Sequence, residues 1–204
     1  MTPCYRPDKE QHRLQVIESD LKTLEPKVWL NDTVISYFIR EFIEAHKSTY
    51  NFDGQFFGTI LMNYKANKRN MGKPYVASCG ITANFPYETY PTILVPVCMD
   101  VHWSFVVTQN PFQVKKITYK VKAHKTKPHQ DNTYDCGIFM LYFMREVNRA
   151  IMRAKGNIIL PLSIANICAL PKQTRDHFNC DLERMEFFRL FRNDQAVQSE
   201  IANR

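Results

Sequence analysis

Cys136 stands where a thiol gains nucleophilic character. It precedes the apolar run Ile138 to Met144, which reads as a helix, so its sulfur would lie at the positive end of a helix dipole. Gln130, six residues earlier (136 − 130), can turn a side-chain N–H toward a developing oxyanion. His102, beside Trp103, follows a strand-like run and offers a general base. Each is a weak signal alone: an isolated cysteine is usually a small buried hydrophobe, and an isolated histidine is usually structural. Together they supply the parts of a thiol hydrolase: a nucleophile at a helix start, an imidazole from a neighbouring strand and an oxyanion donor.

Those residues need elements to hold them. Val16 to Leu24 reads as a short mixed segment that Pro26 stops. A helix follows, capped by Asn31 or Asp32, with Val34, Phe38 and Phe42 beside Ile35, Ile39 and Ile43 as its apolar stripe. Asn51 to Tyr64 suggests a turn and a short helix, and Lys65 to Lys73 a polar loop. Thr92 to Cys98 and Ser104 to Thr108 read as strands around Asp100-Val101-His102; alternation at Ile117, Tyr119 and Val121 predicts a third. Cys136 to Lys155 is expected to be a long helix closed by Gly156, and Asp181 to Arg192 a last amphipathic one. Helices, then strands, then helices predict an α+β fold rather than alternating βαβ units.

A chain of 204 residues with 45% apolar and 13% aromatic residues can bury a core without staples. We read residues 1–13 as a loose lead-in, 14–192 as one catalytic domain and 193–204 as a frayed tail. The net charge of +7 admits an acidic protein partner, but no nucleic-acid-reading motif accompanies it, so a nucleic-acid module is the weak rival. No apolar run reaches membrane-span length, and no signal-peptide core precedes Arg13. Six cysteines without a CxxC pair predict an intracellular protein with reduced thiols. Cys168, His177 and Cys180 match no standard zinc spacing, so neither a metal nor another cofactor is expected.

Four ordered segments carry a resemblance. They are Asp20-Leu21-Lys22-Thr23-Leu24 with Trp29-Leu30-Asn31-Asp32; Asn51 to Thr59 with Phe56-Phe57; Leu94-Val95-Pro96-Val97 with His102-Trp103-Ser104; and Gln130-x-Asn132-x-x-Asp135-Cys136-Gly137. Together they resemble the ubiquitin-like-protein proteases, especially the SUMO-specific (sentrin-specific) branch, from about Asp20 through Met144. The resemblance implies a papain-like cysteine-protease fold with a small mixed sheet and flanking helices. It also implies hydrolysis after a modifier's Gly-Gly tail. Cys136 would be the nucleophile, His102 the base and Gln130 the oxyanion donor. Trp29 and Trp103 would roof a tunnel only glycine can thread, and Asp32 would pair with the basic side of the tail. The implied partner is SUMO or a related modifier with its conjugates, met by a monomer in the nucleus or cytoplasm.

One departure qualifies the activity. The family carries an acid at the end of the strand after the histidine, which holds the imidazole in its productive tautomer. Here no Asp or Glu lies between Asp100 and Asp131, and lysines occupy the corresponding stretch. His102 and Cys136 are 34 residues apart (136 − 102), whereas the family pattern places a further helix and strand between them. The comparison implies that an internal block is absent. Asp131 is better read as a surface residue, and Asn110 or Gln109 could orient an imidazole only from the wrong place. Two alternatives follow: an impaired protease that still binds SUMO, and a protease for a NEDD-type modifier, whose relatives share Tyr134-Asp135-Cys136-Gly137.

Overall fold

The computed structural model describes residues 14, 16–62, 85–109, 123, 129–154 and 178–202. The strand expected at Ile117 to Val121, the loop at Lys65 to Lys73, Gly156, Cys168 and His177 lie outside them.

Asn31 starts the first long helix. Its side chain accepts the Val34 N–H at 2.9 Å, so Asn31 is the cap and Asp32 the first helical residue. This helix, α2 (Asp32–Phe42), follows a single turn, α1 (Glu18–Leu21), and buries Val34 through Ile39. Strand β1 (Thr49–Asn51) precedes helical residues 56–62 (α3). Strands β2 (Thr92–Met99) and β3 (His102–Gln109) then form a hairpin. The sheet order is β1-β2-β3, with β1 parallel and β3 antiparallel to β2. The strands run one or two residues further toward each other than the sequence suggested, because Met99 pairs with His102 and only Asp100-Val101 make the turn.

Helix α4 (Cys136–Arg153) ends at Arg153, with Ala154 as its cap, slightly before the expected Lys155. Every residue from Cys136 to Met144 is buried, so its first turns are apolar on all sides and belong at the centre. There they meet Phe38 and Ile39 of α2, Leu94 and Trp103 of the sheet, and Phe187 and Phe191 of α5 (Cys180–Ala202). At about 1.5–3 kcal/mol per fully buried large side chain, this cluster holds the layers together. Asn148, fully buried, exchanges amide hydrogen bonds with Asn51 and so fixes the sheet edge to α4. Helix α5 continues past Arg192, where the sequence reading had stopped it. Its buried residues Arg184, Phe187 and Phe191 recur at helical spacing, and one of them is charged.

Candidate active site

The nucleophile loop is held by its own polar residues. Asn132 Oδ1 accepts the N–H groups of Tyr134 and Asp135 at 3.1 and 3.0 Å, closing an Asx-type turn. Asn132 Nδ2 donates to Asp135 Oδ2 at 2.9 Å. Asp135 sits at the N-cap of α4 but makes no side-chain cap bond, because its carboxylate is engaged elsewhere. Cys136 follows, 2% exposed, at the first position of the helix.

A buried carboxylate beside a thiol would oppose formation of a thiolate unless it were neutralised. Arg184 neutralises it. From α5, its Nε and Nη2 both reach Asp135 Oδ1, at 3.0 and 2.7 Å. The same guanidinium donates to the carbonyls of Thr23, Glu25, Val28 and Tyr134. Cys180, one turn earlier on α5, donates its S–H toward Asp135. Burial first, and then that carboxylate, push its thiol pKa up to about 12.

Leu30 ties the rest together. A Cβ on Gly137 would stand 3.0 Å from Leu30 Cβ and 3.1 Å from its Cδ1, so glycine after Cys136 lets Leu30 pack there without having to shift by a few tenths of an ångström. The Leu30 carbonyl accepts the Trp103 indole N–H at 2.9 Å. Trp103 is buried, whereas Trp29 is 47% exposed and donates its indole N–H to the Thr133 carbonyl at 2.6 Å. Trp29 is therefore a rim residue bridging its own segment to the nucleophile loop.

The base side is arranged differently. Asp100 and Val101 both have positive φ, 49° and 58°, as a two-residue hairpin turn of this hand requires. Valine, branched at Cβ, is strained in that region. Cys136 Sγ lies 4.0 Å from the Val101 carbonyl, one peptide bond from His102. The thiol thus points at the turn, and its hydrogen-bond partner among the described residues is that carbonyl rather than the imidazole. His102 itself is exposed, with no carboxylate partner among the described residues. Burial, then the charges of Cys136 and Asp32, push the Cys98 thiol upward, so Asp32 and Cys136 flank Cys98. Asp32 is exposed there, accepting the Thr33 N–H. Gln130 is half-buried on the nucleophile loop, and its amide donates to Asn132 Oδ1 at 3.4 Å. No group of three metal-ligating side chains occurs among the described residues.

No family model matches the sequence. Among solved structures, a de-sumoylating protease is similar over 92% of this chain and 90% of its own, with a TM-score of 0.58 at 14% identity. The fold is that of a de-sumoylating protease. The SUMO protease Ulp1 with its catalytic cysteine oxidised to a sulfenic acid is similar over 86% of both chains, at 17% identity and a TM-score of 0.46. The C-terminal Ulp1 protease domain in complex with Smt3, the yeast ortholog of SUMO, is similar over 83% of both, at 19% identity and 0.41. The α+β protease architecture with a small mixed sheet, expected from the sequence, is the one observed.

Arg184 and Leu30 were missed as site residues in the sequence. Leu30 had no separate signal. Arg184 had one: a guanidinium on the buried stripe of an amphipathic helix needs a buried anion, and Asp135 is the acid flanking Cys136.

Proposed function

We propose that the chain is a cysteine peptidase that cleaves the bond after the Gly-Gly tail of a ubiquitin-like modifier, with SUMO as that modifier. The observation carrying this reading is Cys136 at the start of a buried helix, with a rim tryptophan bonded across the loop that presents it. In the reaction, His102 takes the Sγ proton and the sulfur attacks the carbonyl carbon of the terminal glycine. Gln130 turns from Asn132 to donate to the oxyanion. Collapse expels the amine, which leaves with the proton from His102, and a thioester remains on Cys136. Water, deprotonated by His102, then attacks the thioester and frees the tail carboxylate and the thiol. Trp29 and Trp103 would flank the glycines, and Asp32 would meet a cation on the tail.

A second reading is favoured by one feature: no carboxylate accompanies His102 among the described residues, and the sequence carries no Asp or Glu between Asp100 and Asp131. Without its orienter the imidazole samples unproductive poses, and the chain becomes a SUMO binder of low turnover. Hydrolysis of a SUMO C-terminal aminocoumarin amide separates the two. Release that vanishes in Cys136→Ala supports the peptidase; SUMO binding without release supports the binder. Neither binding nor release removes both, and faster release from the NEDD-type amide would reassign the modifier.

A further inference from the structure

Arg184 is 2% exposed and uses its guanidinium on two walls at once. On one wall, Nη1 donates to Thr23 O at 3.0 Å and Glu25 O at 3.1 Å, and Nη2 to Val28 O at 2.7 Å. On the other, Nη2 also donates to Tyr134 O at 3.2 Å and joins Nε on Asp135 Oδ1. An arginine needed only to neutralise Asp135 would not require the three carbonyls of the first wall. One residue further out on each wall, the Trp29 indole N–H reaches Thr133 O at 2.6 Å. The walls are therefore joined by two rungs: Arg184 between Val28 and Tyr134, and Trp29 between its own segment and Thr133.

We propose that Arg184 is a positioning residue that sets the spacing between the Trp29 segment and the loop bearing Cys136, and so the gap through which a substrate tail passes. The inference rests on the tail-cleaving reading above. It assigns the last helix a part in substrate fit, although that helix contributes no reacting atom. Lysine would keep the charge opposite Asp135 but, as a compact point charge with three donors, could not reach both walls.

The test uses the whole chain as parent and Arg184→Lys, with the Arg184→Met/Asp135→Asn neutral pair as a second variant should lysine fail to fold. Cys136 is labelled with SUMO bearing a C-terminal thiol-reactive group and, separately, with chloroacetamide. Trp29 exposure is read by acrylamide quenching in a Trp103→Phe background. The expectation is labelling by the SUMO probe slowed about tenfold or more, chloroacetamide changed less than about threefold, and steeper Trp29 quenching. Equal slowing with both reagents, or unchanged SUMO labelling, overturns the proposal. A parent that takes no SUMO probe overturns the tail reading instead. The Trp29 quenching then decides the spacing role, a steeper slope supporting it and an unchanged slope ending it.

Discussion

The two sides of the site are built to different standards. Around Cys136, an Asx turn, a buried ion pair, six backbone carbonyls held by Arg184 or an indole, and a glycine closed over by Leu30 fix the thiol from several directions. Around His102 there is a two-residue turn with a strained valine, one long sulfur contact and an exposed ring. Over-determined geometry keeps a group in place whether or not substrate is present, while a singly held group depends on its orienter. The difference teaches that the position of Cys136 is set by the fold itself, whereas that of the His102 ring is not fixed by the described residues.

The largest effect expected from breaking this contrast is at the nucleophile side. Arg184→Met leaves the Asp135 carboxylate buried without its cation, and such losses cost about 3–5 kcal/mol. Urea unfolding should show a loss of that order, partly recovered when Asp135→Asn is added; a single-variant loss below about 1 kcal/mol would undo the ion-pair account.

Gly137→Ala sets two terms against each other. Alanine improves helix propensity by about 1 kcal/mol, while forcing a methyl group against Leu30 costs about 1–3 kcal/mol. The net expectation is a loss of about 1 kcal/mol in thermal unfolding, reduced in Gly137→Ala/Leu30→Ala. A stabilised Gly137→Ala protein would mean that Leu30 yields freely.

On the base side the sign reverses. Val101→Gly removes left-handed strain worth about 1–2 kcal/mol and adds unfolded-chain entropy of about half that, so stability should rise by up to about 1 kcal/mol. A lower melting temperature would show that the valine side chain contributes packing that its exposure does not suggest.

The smallest effect lies behind the loop. Cys180 titrates near 12 in the folded chain against an ordinary value of 9.0, so between those values the folded state holds more protons than the unfolded one. Stability should therefore fall as pH rises from about 9 toward 12, and Cys180→Ala should flatten that part of the curve. A slope unchanged by the substitution would detach Cys180 from Asp135.

Much of the fold was legible because its signals are local. The stripe of Val34, Phe38 and Ile39, the apolar start of α4 and the β-branched runs around Asp100 each announce their period. The nucleophile loop was legible as a motif, but its reasons were not. Asn132 and Asp135 act through backbone and through Arg184, which lies 49 residues away in sequence. The last helix was ended too early because Asn193 and Asp194 look like a stop, yet the helix continues through them. Asn31 and Asp32 could not be told apart as caps, since either side chain can accept such a bond. Trp29 and Trp103 were alike as tunnel residues in the sequence, and only their neighbours separate the exposed Trp29 from the buried Trp103.

The central claim is that Cys136 is a nucleophile presented to a modifier tail while His102 awaits an orienter. It is tested most directly by intact-mass analysis after incubation with SUMO bearing a C-terminal thiol-reactive group. The account predicts one adduct, mapped to Cys136 rather than Cys98 or Cys180, lost in Cys136→Ala and slowed in His102→Ala. An adduct that persists in Cys136→Ala, or none in the parent, would contradict it.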